Sequence, residues 1–155
     1  MMQKKICMIG ATAVGKTSLV RRYIQNLYSE GYHTTIGVKV DKKVLDNVTL
    51  MLWDIYGDDE LQGMRSSYLR GAAGYLLVVD STRVKTLDKA RELKGKIDEA
   101  LGEIPFVLAL NKTDLTDAWD MPDELPSEWT ILRTSAKTGA NVEEAFAALA
   151  AKLAS

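Results

Sequence analysis

Gly10-Ala11-Thr12-Ala13-Val14-Gly15-Lys16-Thr17 is the stretch of this chain whose residue types and spacing point most directly to chemistry. Glycines at both ends of such a loop let the backbone wrap closely enough for successive N–H groups to face the oxygens of a phosphate. A lysine directly after the second glycine reaches β- and γ-phosphates, and the adjacent hydroxyl binds magnesium. Lys16, Thr17 and Ser18 would then open a helix whose positive end faces the same anion. Gly10, Thr12, Ala13, Val14, Gly15, Lys16, Thr17 and Ser18 are therefore the candidate phosphate-binding residues. A plain strand-to-helix turn containing Gly and Lys is the alternative. At average composition, a chain this long matches the pattern by chance on the order of 1 time in 200.

A phosphate loop alone does not select a base. Asn111-Lys112-Thr113-Asp114 follows an apolar run ending at Leu110. A carboxylate at Asp114 suits the adjacent N–H and NH₂ donors on one edge of guanine, and adenine has no such donor pair there. Ser135-Ala136-Lys137 follows a second short apolar run. The backbone N–H of Ala136 is placed to donate to the guanine carbonyl oxygen, where adenine carries an amino group. Each segment alone is a weak signal, since both also occur as polar turns. In this order after a phosphate loop, each at a strand end, they read together as a guanine site.

The elements that must position these residues alternate between strands and helices, which predicts an α/β domain with a mostly parallel sheet. Lys5 to Ile9 reads as a buried strand ending at Gly10. From Lys16, apolar residues at Leu19, Val20, Tyr23, Ile24 and Leu27 recur at helical spacing. Val38 to Leu45 and Val48 to Asp54 flank Asp46-Asn47, two residues that tolerate left-handed backbone, so the pair reads as a hairpin adding an antiparallel edge. A helix is expected between this hairpin and the next strand, Gly74 to Val79. A helix over 84–101, strands at Phe106 to Leu110 and Thr130 to Arg133, and a helix from Val142 to Leu153 follow. The stretch 115–128 holds Pro122 and Pro126 and is expected to carry at most one or two helical turns. In open sheets of this kind ligands sit at the carboxyl ends of strands, where every segment above falls.

The chain has 155 residues, which predicts one domain over 1–155. Apolar residues make up 46% and charged residues 26%, as in a soluble globular domain. The net charge of −1 gives no basic field for nucleic acid or anionic membrane. The N-terminal residues lack the long apolar stretch of a signal peptide, so none is expected; no apolar run reaches membrane length, and a single cysteine, Cys7, fits a reducing cytoplasm. No cysteine lies near the C-terminus, so no lipid anchor is expected in this chain.

Together with His33-Thr34-Thr35-Ile36-Gly37 and Trp53-Asp54-Ile55-Tyr56-Gly57, the Gly10–Thr17 loop, Asn111–Asp114 and Ser135–Lys137 give a sequence that resembles the Ras superfamily of small GTPases, most closely its Rab-like branch, over nearly the whole chain. The resemblance implies a P-loop G domain: a six-stranded, mostly parallel sheet with one antiparallel strand and helices on both faces. Here the fourth helix of that pattern looks reduced, because only 20 residues separate Asp114 from Ser135. It implies GTP or GDP with Mg²⁺ as cofactors, Thr17, Thr35 and Asp54 around the metal, the Gly57 N–H on the γ-phosphate, and Tyr28 stacked on the base or else packed in the core. It also implies an effector, an exchange factor and a GTPase-activating protein acting through residues 28–40 and 55–70. Tyr32, Ile36, Val38, Trp53, Tyr56, Met64 and Tyr68 lie in or beside these stretches, some as core and some as a binding face. Arg65 and Arg70 read as solvated charges, and His33 as an exposed loop residue without acid–base duty.

Three departures from the family pattern bear on hydrolysis. The glutamine that orients the attacking water is replaced by Asp58, which accepts hydrogen bonds but cannot donate one when ionised. Ile55-Tyr56 stands where Thr-Ala is usual, and Thr12 is bulkier than the family's small residue. Lys16, Thr35, Gly57 and Asp58 are the candidate catalytic residues. The expectation is a GTP-binding switch with slow unaided hydrolysis, the alternative being a GTP-loaded interaction module with negligible hydrolysis. A P-loop kinase or ATPase lacks a second-substrate site or lid.

Overall fold

The computed structural model describes residues 2–11, 13–25, 38–55 and 66–154. It contains the elements β1 (Met2–Gly10), α1 (Lys16–Gln25), β2 (Val38–Val44), β3 (Val48–Ile55), α2 (Ser66–Leu69), β4 (Ala72–Asp80), α3 (Val84–Leu101), β5 (Phe106–Asn111), β6 (Ile131–Arg133) and α4 (Val142–Ala154), with one 3₁₀ turn at Thr116–Ala118. The six strands lie in the order β2-β3-β1-β4-β5-β6. All neighbouring pairs are parallel except β2 with β3.

Strands buried on both faces explain why the central runs are apolar without alternation. Successive residues of β1 feed opposite sides: Ile6 and Met8 enter one core, Cys7 and Ile9 the other. β4 divides in the same way, with Leu76 and Val78 on the first side and Tyr75, Leu77 and Val79 on the second. Helices α1 and α4 cover the first side through Leu19, Val20, Tyr23, Val142, Ala145, Phe146 and Leu149. Helix α3 covers the second through Leu87, Ala90, Leu93 and Ile97. The Tyr23 and Phe146 rings stack at 4.0 Å between centroids and lock α1 to α4.

Several boundaries differ from those predicted. β1 begins at Met2 rather than Lys5, because β3 runs beside it from Val48 and pairs Met2, Gln3 and Lys4 with Val48, Thr49 and Leu50. These residues gain ladder bonds without gaining an all-apolar pattern. The hairpin at Asp46-Asn47 forms as expected, but not by the expected backbone. Neither residue has positive φ, and Leu45 N–H closes the turn on the Val48 carbonyl at 2.8 Å. Within 115–128 only the 3₁₀ turn is helical. Met121 is buried there, and Trp119, Leu125 and Trp129 pack beside it on the α3 side of the sheet. Trp53 and Tyr68 pack partly buried on that same side, with Lys5 Nζ 3.8 Å from the Trp53 ring centroid. Among the described residues no helix is long and apolar enough to cross a membrane.

Candidate functional site

The carboxyl ends of β1, β3, β4, β5 and β6 bring the chemistry-bearing residues to one rim of the sheet. Strand pairing sets their levels: Gly10 lies beside Val78, Asp54 beside Met8, and Asp80 beside Asn111. At Gly10 a Cβ would lie 2.4 Å from the Val78 carbonyl oxygen, so only glycine lets β1 turn away there. Gly15 has φ +103°, and a Cβ on it would meet Asn111 Nδ2 at 2.3 Å. Ala13 lies in the left-handed region at φ 63°.

Lys16 is nearly buried, and its ammonium donates to the carbonyls of Gly10 at 2.9 Å and Ala11 at 3.0 Å. The cation thus sits inside the loop it closes. The first i→i−4 bond of α1 runs from Leu19 N–H to the Gly15 carbonyl at 2.9 Å. The turn ahead of it, Lys16 to Ser18, is the kind of helix start that offers N–H groups to an anion.

Thr17 Oγ1 donates to Asp54 Oδ2 at 2.5 Å, and Asp54 is buried at the end of β3. A hydroxyl and a carboxylate side by side are hard oxygen donors of the kind Mg²⁺ takes. No group of three His, Cys, Asp or Glu side chains capable of holding a metal occurs among the described residues. Thr17 and Asp54 therefore fit part of the oxygen shell of such a cation.

Asn111 is 2% exposed and ties three segments together. Its Nδ2 donates to the Val14 carbonyl at 2.9 Å, and its Oδ1 accepts from Thr134 Oγ1 at 3.2 Å and from Ala136 N–H at 3.3 Å. Sequence reasoning placed Asn111 among the nucleotide contacts. The structure gives it the task of holding the phosphate loop and the base loops at a set separation. It also turns the Ala136 amide, expected to face a guanine carbonyl, toward Oδ1 over a long hydrogen bond. Asp114 receives Ser135 Oγ at 2.7 Å, which orients its carboxylate. Ser135 in turn shapes its own loop, its Oγ accepting from Thr138 N–H at 3.1 Å.

Three side chains that sequence reasoning missed support this rim. Asp80, buried at the end of β4, accepts from Thr82 N–H (2.9 Å), Thr82 Oγ1 (2.6 Å), Arg83 Nε (2.9 Å) and Lys112 Nζ (2.9 Å). Burial by itself would raise its pKa, but the hydrogen bonds from Thr82, Lys112 and Arg83 outweigh that and hold it at about 2. Arg83 and Lys112 also both donate to the Ala13 carbonyl, at 3.2 and 3.1 Å. Two cations anchored on one carboxylate thus secure the left-handed corner of the phosphate loop, and Lys112 reaches it from its own positive φ of 67°. Arg22 of α1 donates through Nε to the Ala136 carbonyl at 2.8 Å and through a terminal nitrogen to the Lys137 carbonyl at 2.5 Å. An aspartate directly after a buried strand, at the sheet end where ligands gather, is a signal that could have exposed Asp80. Nothing in the sequence marks Arg22.

The structure thus brings together Gly10, Ala13 to Ser18, Asp54, Asn111 to Asp114 and Ser135 to Lys137. Thr12, Tyr28, Thr35, Gly57 and Asp58 lie outside the described residues, as do Tyr32, His33, Ile36, Tyr56, Met64 and Arg65.

The Ras family model matches residues 5–155. The Ras-related protein Rab-7L1 of Homo sapiens is 36% identical over 168 aligned residues, covering 96% of this chain and 81% of the relative. Its counterpart in Rattus norvegicus gives the same identity and coverage. The Ras-related protein RABD2a of Arabidopsis thaliana is 32% identical over 160 aligned residues, covering 96% of this chain and 79% of the relative. With a phosphate loop, an oriented base carboxylate and a six-stranded sheet that is antiparallel only at β2, this chain belongs to the Ras superfamily of small GTPases, in its Rab-like branch, and is a guanine-nucleotide-binding protein of the switch type.

Proposed function

We propose that residues 1–155 act as one G domain in the cytoplasm, one that binds GTP with Mg²⁺, hydrolyses it to GDP slowly when unaided, and signals its nucleotide state through residues 28–40 and 55–70. The observation that carries the reading is the shared tie at Asn111, one buried amide linking the phosphate loop to both base loops. A site built this way holds a triphosphate and a purine at one distance.

Lys16 and the loop amides take up charge on the β- and γ-phosphates, and Thr17, Asp54 and Thr35 hold the cation. The metal, when bound, neutralises charge that develops as the γ-phosphoryl group leaves. Asp114 and Ala136 read guanine. The slow rate rests on Asp58, which adds negative charge beside a polyanion and lacks the amide donor of glutamine. Turnover then depends on an activating protein, and an exchange factor and an effector use the same two stretches.

Single-turnover hydrolysis by the purified protein tests this. The expected unaided rate lies at or below the roughly 10⁻⁴ s⁻¹ of unaided Ras, with Asp58→Gln faster. A rate well above that for the unaltered chain refutes the slow-switch reading. An unchanged rate in Asp58→Gln removes Asp58 from the explanation. Asp58 also favours a second reading, a GTP-loaded interaction module. Tight GTP uptake with no phosphate released over many hours identifies that case, and labelled GTP displaced equally by ATP excludes both.

A further inference from the structure

Ala13 has left-handed backbone at φ 63°, a conformation disfavoured for a residue with a Cβ, so contacts from outside the loop must hold it. Its carbonyl belongs to the same peptide unit as the Val14 N–H. That carbonyl accepts from Arg83 Nη2 at 3.2 Å and from Lys112 Nζ at 3.1 Å. No cis peptide bond occurs among the described residues, so the Val14 N–H points away from both cations. The next unit is held in the same manner: Asn111 Nδ2 takes the Val14 carbonyl at 2.9 Å, which turns the Gly15 N–H the other way. Positive φ at Ala13 and at Gly15 (103°), with Val14 between them, is the alternation of hand that makes an anion-binding hollow from successive N–H groups.

Arg83 lies outside every motif of the nucleotide site. Its Nε holds Asp80 at 2.9 Å while Nη2 reaches Ala13, a pairing that the planar fork of arginine permits and a single ammonium does not reproduce. The backbone from which it reaches is itself fastened. Arg83 N–H bonds the Asp80 carbonyl at 3.0 Å, and Ser81 N–H bonds the Asn111 carbonyl at 2.9 Å. Asp120 closes the corner, its N–H on the Ser81 carbonyl at 2.8 Å and its Oδ2 accepting from Val84 N–H at 3.0 Å. The guanidinium thus starts from a braced turn between β4 and α3.

We propose that Arg83 is a positioning residue for phosphate binding: by holding the Ala13 carbonyl outward, it keeps the Val14 N–H turned into the phosphate site. It acts through that one peptide unit rather than by touching nucleotide. Lys112 shares the carbonyl but belongs to the base segment, so Arg83 is the support whose loss leaves guanine recognition in place. The proposal deepens the guanine-nucleotide reading and rests on it.

In the test, GDP and guanosine each compete against N-methylanthraniloyl-GDP on the full chain, on Arg83→Ala and on Arg83→Lys. Guanosine carries the base without phosphates. In Arg83→Ala the affinity for GDP should fall about three- to tenfold, the worth of one hydrogen bond, while that for guanosine changes less than about twofold. Arg83→Lys keeps the charge but not the fork, so its loss should match that of Arg83→Ala to within about twofold. The loss should also persist between about 0.1 M and about 1 M salt, because screening weakens a distant charge and not a held peptide. The Arg83 side chain is 46% exposed and makes no cap bond to α3, so the fold survives its removal. A loss that lysine restores, or that vanishes in strong salt, makes Arg83 a distant charge acting on the anion and overturns the proposal. An unchanged affinity for GDP overturns it too, as does an equal fall for GDP and guanosine, which marks a general loosening. An unaltered chain that binds GDP no more tightly than guanosine defeats the phosphate reading itself, and this inference with it.

Discussion

Replacing Gly15 by alanine separates two costs that glycine avoids at this position. The first is conformational: φ is +103°, where an L side chain is strained by about 1–3 kcal/mol. The second is a collision, because the new Cβ would lie 2.3 Å from Asn111 Nδ2. Asn111 has little room to retreat, being 2% exposed and bonded to Val14, Thr134 and Ala136. Breaking the bond from Nδ2 to the Val14 carbonyl leaves a buried polar group unmatched, at about 1–3 kcal/mol. The two costs sum to roughly 2–6 kcal/mol, or a fall of roughly 10 °C in Tm at this chain length. Gly71→Ala supplies the comparison: φ is +79°, and nothing lies within 4 Å of its Cβ, so it suffers strain without collision. Urea unfolding of the two variants beside the unaltered chain measures the difference. Gly15→Ala should cost about 1–3 kcal/mol more than Gly71→Ala. If the two cost the same, Asn111 is not the rigid tie between phosphate and base loops that its hydrogen bonds indicate.

Asp80→Asn removes the carboxylate that anchors Lys112 and Arg83. The folded pKa of Asp80 lies below its ordinary 3.8, at about 2, so its ionised form stabilises the fold by about 2 kcal/mol above pH 4, and this is lost as pH falls toward 2. The stability gap between the unaltered chain and Asp80→Asn should therefore be widest near neutrality and close as pH falls from 4 to 2, and a gap independent of pH contradicts the assignment. Gly95 is exposed inside α3 with open space around its Cβ, so Gly95→Ala should raise stability by about 0.5–1 kcal/mol, read as a higher urea midpoint at unchanged slope.

Local signals were legible in the sequence, and long-range ones were not. The Gly10–Thr17 loop and Asn111–Asp114 are short runs whose spacing carries their chemistry, and both fall at strand ends. Helix α3 matched its expected span of 84–101 because an apolar stripe marks a helix packed on one face. The antiparallel edge was readable from its turn, although Asp46 and Asn47 close it without left-handed backbone. What escaped were contacts that only folding creates. Arg22 meets a carbonyl 114 residues away, and Lys112 meets Asp80 across 32. A surface-style arginine and an aspartate after a strand look ordinary until the sheet sets them side by side. Asn111 is expected among the nucleotide contacts, and the structure adds a bracing duty between the loops that its residue type suits equally well.

Helix α1 is fastened near both ends and along its flank: Thr17 on Asp54, Tyr23 against Phe146, Arg22 on the carbonyls after β6. A strut held at three points does not flex between them; it tilts as a whole. Leverage applied anywhere along it would open the hand on the triphosphate and the hand on the purine in the same movement, so a partner that ejects nucleotide has one lever to push.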